Sequence, residues 1–311
     1  MNSDDEQDWA TTPQNAGPLF DRVADDLRRQ FSADLPPGLY IVATPIGNLS
    51  DITLRALATL ARADVIYCED TRHSRHLLAH FGISRPLRPY HEHNADEQRP
   101  RILADLARQS RIALISDAGT PLISDPGFKL VRDCIAQGHA VTAIPGASAI
   151  LTSLAVAGLP TDAFMFAGFL PPRTGARQSR ISELAAIPAT LVFFEAPTRL
   201  VETLGDLAGG LGDRPAVVAR ELTKLHEEVA RGSLSNLAEV YSAAPPKGEI
   251  VVLVAAPEEQ NVSDEQITGA LAQALDNMSL RDAAKIVADR FAVPKARVYD
   301  LGLKIRSSGS P

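Results

Sequence analysis

The sequence predicts an α/β fold of two domains, a parallel-sheet N-terminal domain and a mixed-sheet second domain, followed by a small C-terminal helical module. Three observations predict it. Between residues 38 and 144, short apolar runs alternate with amphipathic ones, the rhythm of a largely parallel sheet with helices on both faces. From about residue 160, strand-like runs follow one another with a less regular alternation, as in a mixed sheet. Beyond the polar stretch Pro257-Glu258-Glu259-Gln260-Asn261 the charge reverses sign and the pattern becomes helical.

The elements follow in order. Residues 1–34 carry eight acids against three arginines, a net charge of −5, and end at Pro36-Pro37-Gly38; this reads as a mostly disordered acidic tail with a short helix near Phe20–Phe31. In the N-terminal domain, residues 35–150, Leu39–Ala43, Val65–Tyr67, Ile112–Ile115 and Val141–Ile144 read as buried strands. Ile52–Ala63, Asp96–Ala107 and Lys129–Gln137 read as its helices. In the second domain, residues 151–258, the strands are Phe164–Gly168, Thr190–Phe194, Ala216–Arg220 and Glu249–Val254, and Leu225–Arg231 reads as an antiparallel strand. Residues 263–306 read as three helices, Asp264–Leu275, Leu280–Phe291 and Lys295–Ile305, started by Ser263 and by the capping-box-like pair Ser279 and Asp282. A helix, a short turn at Ala292-Val293-Pro294 and a basic helix make this module helix-turn-helix-like.

Composition excludes several classes. Apolar residues are 45% and charged residues 22% of the 311, so the chain as a whole is globular. A net charge of −7 argues against coating nucleic acid by bulk positive charge and leaves room for local basic patches. Two cysteines build neither a disulfide framework nor a Cys-rich zinc site. The acidic N-terminus is no signal peptide, and the longest apolar run, Ala140 to Leu159, is cut by Pro145 and Gly146. A soluble cytoplasmic protein is expected.

The strands of the first half run into unusual turns: Thr44-Pro45-Ile46-Gly47-Asn48, Ser116-Asp117-Ala118-Gly119-Thr120-Pro121 with Ser124-Asp125-Pro126-Gly127, and Pro145-Gly146-Ala147-Ser148-Ala149. Ligands bind open parallel sheets at the carboxyl ends of strands, where small residues let them approach the backbone. Singly each loop reads as a tight turn; three on one sheet edge make a nucleotide-like pocket. Neither a G-x-G-x-x-G fingerprint nor a P-loop is present.

The run from Ser116 to Gly127 resembles the signature of the ribosomal RNA small subunit methyltransferase I family, within the tetrapyrrole methylase superfamily. So do Ala43–Leu49, Cys68-Glu69-Asp70-Thr71-Arg72, His91-Glu92-His93-Asn94, the run from Arg220 to Glu228, and Lys247-Gly248-Glu249. The likeness covers roughly residues 38–256, with a further match near the C-terminus. It implies a two-domain tetrapyrrole-methylase-like fold and a homodimer. It also implies S-adenosylmethionine-dependent 2′-O-methylation of a cytidine ribose in small-subunit (16S) rRNA. Carried over by position, the cofactor contacts are Pro45, Ala118, Gly119, Thr120, Ile123, Ser148, Ala149, Glu195 and Leu222. Ala118-Gly119-Thr120 departs from the Gly-Gly-Asp of most tetrapyrrole enzymes, so a charged contact is replaced by a hydroxyl. Plain core packing is the other reading of Ile123 and Leu222.

Methyl transfer to a ribose hydroxyl gains from a base that takes its proton. Asp117, Asp125, Glu195 and Glu221 are the candidates near the cofactor loops, and the sequence does not choose among them; turn formation is the alternative for Asp117 and Asp125. Five of the seven histidines fall between residues 73 and 93, His73 and His76 at i, i+3 and His76 and His80 at i, i+4. No zinc motif is present and no metal is expected. Arg72, His91 and His93 suit phosphate contacts to RNA, and Arg173, Arg177, Arg180 and Arg199 form a second basic cluster at a substrate lip, with an ordinary charged helix face as the alternative in both places. Lys295 and Arg297 are RNA candidates in the C-terminal module, where seven bases against three acids give residues 281–306 a net +4; a small helical cap is the alternative there. A tetrapyrrole C-methyltransferase and a non-catalytic helix-turn-helix regulator are the competing functions. The arginine-rich loops and the His91–Asn94 run argue against the first, and the three loops on one sheet edge against the second.

Overall fold

The computed structural model describes residues 16–258, 263–291 and 293–308, which divide into two compact units that part after Ala256. In the first unit, residues 17–32 form a sixteen-residue helix, α1, with Pro18 in its first turn, where a missing N–H costs nothing. This is longer than the short helix expected within a mostly disordered tail; residues 1–15 lie outside the described residues. Arg62 Nη1 donates to the carbonyl of Gln30, tying α1 to the body (3.1 Å).

The first sheet is fully parallel, in the order β3-β2-β4-β1-β5, with β1 Gly38–Val42, β2 Val65–Cys68, β3 Leu87–Pro89, β4 Arg111–Leu114 and β5 Val141–Ile144. Successive side chains leave a strand on opposite faces, and the core divides accordingly. Leu39, Ile41, Tyr67 and Leu114 pack on one face with Ile102 and Leu106 of α4 (Ala95–Ala107) and Leu130 and Cys134 of α5 (Phe128–Ala136). Tyr40, Val42, Ile66 and Ala113 pack on the other with Ala56 and Leu60 of α2 (Leu54–Arg62) and Leu78 of α3 (Thr71–His80). Strand β3 was not anticipated. It is three residues long, includes Pro89, and lies at the sheet edge, so it carries no periodicity to read.

After α6 (Ala149–Ala157) comes the mixed sheet, ordered β6-β7-β10-β8-β9, from β6 Phe164–Phe169, β7 Thr190–Glu195, β8 Pro215–Arg220, β9 Glu228–Ser233 and β10 Ile250–Val254. Only β6 and β7 run parallel; β10 is antiparallel to both β7 and β8, and β8 to β9. Ile250, Val252 and Val254 bury one face under α7 (Thr174–Leu184), α8 (Leu200–Leu211) and α9 (Leu234–Ala243). Val251 and Leu253 face the other way, against α6 and against Ile46 from the loop after β1.

From Pro257 onward the second unit holds α10 Asp264–Leu275, α11 Leu280–Phe291 and α12 Lys295–Ser308 around a core of its own that includes Ile267, Leu271, Val287 and Val298. Ser263 and Gln266 complete a capping box on α10, and Ser279 Oγ receives the Asp282 N–H at the start of α11. Among the described residues no helix is long and apolar enough to cross a membrane.

Candidate active site

The three loops expected at one sheet edge are knitted to each other. Thr44 and Gly119 exchange two backbone hydrogen bonds, 2.8 and 3.1 Å, and the Thr44 hydroxyl donates to the Ser116 carbonyl (3.2 Å). Thr120 Oγ1 donates to the Ala147 carbonyl, joining the second loop to the third (3.4 Å). Ser148 caps α6 by accepting from the Leu151 N–H. Facing these loops are the end of β7, the end of β8 with Leu222 beyond it, and the start of β10. Between them lies a cavity of about 290 Å³. Its walls include three acids, Asp125, Glu195 and Glu249, and no lysine, arginine or histidine. An anion would find no counter-charge here, whereas a cationic ligand such as a sulfonium would.

The backbone around the cavity is strained. Among the described residues five non-glycine positions have φ in the left-handed region, and four of them lie in two loops: Leu122 and Ser124 in the loop after β4, Glu221 and Thr223 in the loop after β8. Such conformations cost about 1–3 kcal/mol each and persist where the surroundings over-determine them, commonly at functional sites.

The four candidate carboxylates are used differently. Glu195 is 3% exposed; its Oε1 accepts the Ala196 N–H at 2.7 Å and its Oε2 the Thr203 hydroxyl at 2.5 Å. Glu221 does not line the cavity. Its Oε1 accepts the Glu249 N–H and the Lys224 ammonium, both at 3.0 Å, and those two partners hold its carboxyl below the usual range. Gly248 makes this possible: with φ +89°, it lies where a Cβ would stand 2.2 Å from Glu221 Oε1. Asp117 turns away from the cavity to accept the Asp70 N–H (3.1 Å). Asp125 is the exception. It lines the cavity, and burial pushes its carboxyl up to about 6, with the charges of Glu69 and Asp117 adding to the rise and the Ser116 hydroxyl opposing it.

Eight of the nine residues expected at the cofactor line the cavity: Ala118, Gly119, Thr120, Ile123, Ser148, Ala149, Glu195 and Leu222. Pro45 does not; the loop after β1 turns it into an adjoining chamber and presents Ile46 to the cavity instead. Gly119 offers space and no hydrogen bond, since both its backbone groups are taken by Thr44. The sequence reading missed Ser124, Ile150, Phe169, Phe194, Ala219, Glu249, Ile250 and Val251 on the wall. Glu249 and Ile46 stood inside quoted motifs, but Phe194 read simply as a strand residue and Phe169, which meets it edge to face at 5.6 Å, lay just past the expected strand Phe164–Gly168.

The basic cluster needs correction. Arg177, expected on RNA phosphates, is wholly buried under α8, with Nε donating to Asp206 (2.6 Å), Nη1 donating to the Pro172 carbonyl, and Glu202 close by. Arg199 is likewise spent inside, donating to the carbonyls of Leu170 and Pro171. Arg173 is exposed, and Arg180 pairs with Glu183. Near α3, Arg72 is exposed and paired with Asp70, His91 is half-buried and His93 exposed. In the second unit Lys295 is exposed and Arg297 pairs with Asp264 at 2.7 Å. Among the described residues no group of three or more His, Cys, Asp or Glu is placed to hold a metal ion.

Comparison with known proteins gives this site its context. The profile of the tetrapyrrole (corrin/porphyrin) methylases matches residues 38–238, and that of the RsmI C-terminal HTH domain matches residues 261–306. Ribosomal RNA small subunit methyltransferase I of Mesorhizobium japonicum is 52% identical over 266 residues, 85% of this chain and 88% of that protein. The chain belongs to the tetrapyrrole methylase family. Its relatives of the same name in Haemophilus influenzae and Xylella fastidiosa are 45% and 47% identical, covering 87% and 85% of this chain and 98% of each of those proteins. Among solved structures, a cobalt precorrin-4 methyltransferase superposes with a TM-score of 0.54 at 18% identity, over 70% of this chain and 94% of that one. The uroporphyrin-III C-methyltransferase of Thermus thermophilus, in complex with S-adenosylhomocysteine, gives 0.50 at 20%, over 70% and 97%. These likenesses bear on the fold alone; the chain is a methyltransferase by its curated relatives.

Proposed function

We propose that this protein transfers a methyl group from S-adenosylmethionine to the ribose 2′-hydroxyl of a cytidine in small-subunit rRNA. The observation that carries the reading is the acid-lined cavity free of basic residues, in a chain whose curated relatives are small-subunit rRNA methyltransferases. When bound, the cofactor supplies a methyl group already activated on a positively charged sulfur. The residues that would hold it are Ala118, Gly119, Thr120, Ile123, Ser148, Ala149 and Leu222, with Glu195 shaping the wall through its own hydrogen bonds. Much of the catalysis is positioning, which the knitted loops favour.

Asp125 is the proton acceptor in this reading. Glu195, Glu221 and Asp117 each hold a backbone N–H, and Glu195 and Glu221 a side-chain donor as well. The Asp125 carboxylate, titrating at about 6 at the cavity wall, would take the proton of the ribose hydroxyl. The protein works in the cytoplasm as a homodimer on rRNA or the small subunit. The exposed bases Arg281, Lys285, Arg290 and Lys295 of its C-terminal module add phosphate contacts.

Labelled S-adenosylmethionine offered with isolated small subunits, free rRNA and a porphyrinogen tests this. Label is expected in 2′-O-methylcytidine of the rRNA. Label in the porphyrinogen, or in a base rather than a ribose, overturns it.

A further inference from the structure

Beside the acid-lined cavity lies a second chamber of about 370 Å³, walled in part by His73 and His76 of α3, by Lys224 and by Asp117. The two chambers share three residues, Ile46, Ala118 and Glu249, so an atom at their seam is within reach of both. Their chemistry differs. The first has acids and no bases, whereas the second sets one ammonium and two imidazoles beside the carboxylates of Asp117 and Glu249. His73 and His76 stand one helical turn apart on the same face of α3, and both are exposed. Lys224 is held in place by close approach: at Gly47 a Cβ would stand 2.4 Å from Lys224 Cγ, so the loop after β1 lies directly on its stem. Its ammonium donates to Glu221 (3.0 Å) and Glu249 (3.2 Å), which uses two of its three protons and leaves the third.

We infer that this second chamber receives the target nucleotide of the RNA, with His73, His76 and Lys224 meeting its flanking phosphates and the ribose presented at the seam with the cofactor cavity. The inference rests on the RNA-methylating reading above and extends it. A pocket that accepts the target nucleotide needs hydrogen-bond donors at the rim for the backbone and open space within. The acid-lined cavity alone would repel a phosphate; beside it, the remaining proton of Lys224 and the exposed His73 and His76 offer donors to an anionic acceptor next to the site of a cationic donor. The histidines that enter are not the pair first read as RNA contacts: His91 and His93 lie outside both chambers.

Two measurements decide it. In the full-length protein, His73→Ala with His76→Ala, both at exposed positions, is expected to lower kcat/KM for isolated small subunits about tenfold, mainly by raising KM. Its calorimetric affinity for S-adenosylmethionine is expected to stay unchanged. A wild-type kcat/KM in the double variant overturns the proposal. In the second measurement, the His73 and His76 imidazole resonances of the wild-type protein with S-adenosylhomocysteine are followed during titration with cytidine 3′,5′-bisphosphate. Saturable shifts are expected that inorganic sulfate at equal concentration does not reproduce. No shift, or equal shifts with sulfate, overturns the chamber as a nucleotide site. If the wild-type protein methylates no subunit at all, the underlying reading falls, and the titration still decides the chamber by itself.

Discussion

Arg177 and Asp125 are both ionisable groups drawn into the protein, one under the mixed sheet and one at the end of the parallel sheet, and their surroundings treat them oppositely. Arg177 is sealed in with two carboxylates, Asp206 and Glu202, and a carbonyl from Pro172. Asp125 has no cation; its electrostatic neighbours are two further acids, Glu69 and Asp117, and its compensation is one hydroxyl. A charge that is fully paired is fixed in one state and serves the architecture. A charge left against like charges, in a loop with left-handed Leu122 and Ser124, is held close to its point of proton exchange and serves chemistry.

The contrast is broken most sharply by neutralising Asp125. Asp125→Asn keeps the shape and removes the proton acceptor, so single-turnover methylation of small subunits is expected to slow by roughly 10²–10⁴. Calorimetric affinity for S-adenosylmethionine should remain within a few-fold of wild type. In the wild-type protein the same rate should fall as pH drops through about 6, because the base is active only when deprotonated. A mutant with wild-type rate, or one whose whole loss lies in cofactor affinity, would move Asp125 from base to binding wall.

Arg177 should answer in the other currency. Arg177→Ala leaves the carboxylate of Asp206 buried without its cation, while Glu202, more exposed, can turn to water. The expected loss is about 3 kcal/mol in chemical denaturation. The salt dependence of RNA binding should keep its slope, since a side chain with no exposed surface releases no counterion from a phosphate. A flattened slope in a folded variant would return Arg177 to the RNA-facing lip.

The same contrast explains what was legible in the sequence. Strands β1, β7 and β10 beside the cavity are largely buried on both faces and their apolar runs announced themselves, whereas β5, expected to be buried, keeps only Ile144 inside. The loops also announced themselves, because Gly119 takes a backbone geometry that glycine satisfies. Seven of the nine positions carried over by resemblance sit in those loops, Glu195 lies at the end of β7 and Leu222 just past β8, and eight of the nine line the cavity. Pro45 lines the adjoining chamber while Ile46 beside it lines both, a placement that no periodicity announces in a loop. The basic cluster was misleading at Arg177 and Arg199 for a different reason. Arg173, Arg177 and Arg180 look alike in a string, yet Arg173 precedes α7 and is exposed, Arg180 pairs with Glu183 along α7, and Arg177 alone points inward, to acids 25 and 29 residues further on. Their number is visible in the sequence, whereas their partners are fixed only by the packing of α7 on α8.

The smallest expected effect is the most discriminating for the Asp125 side of the contrast. Its carboxyl titrates at about 6 in the folded protein and near the ordinary value of about 3.9 when unfolded. Below the unfolded value both states hold the proton and the group contributes nothing pH-dependent. As pH rises from about 4 to about 6 the folded state keeps its proton longer than the unfolded state does, so stability declines across that window and levels off above it. The neutral amide of Asp125→Asn has no such titration. The variant should therefore match wild type in urea unfolding at about pH 4 and exceed it by about 1–2 kcal/mol near pH 7.5, a figure reduced for the solvent that reaches this half-buried group. The sign is opposite to that of most carboxylate substitutions, in which a salt-bridged acid is lost and stability falls at neutral pH. A variant less stable than wild type at pH 7.5 would mean that Asp125 has a cationic partner in solution, and a paired Asp125 would be a second Arg177, built for the fold and unable to take a proton from a ribose.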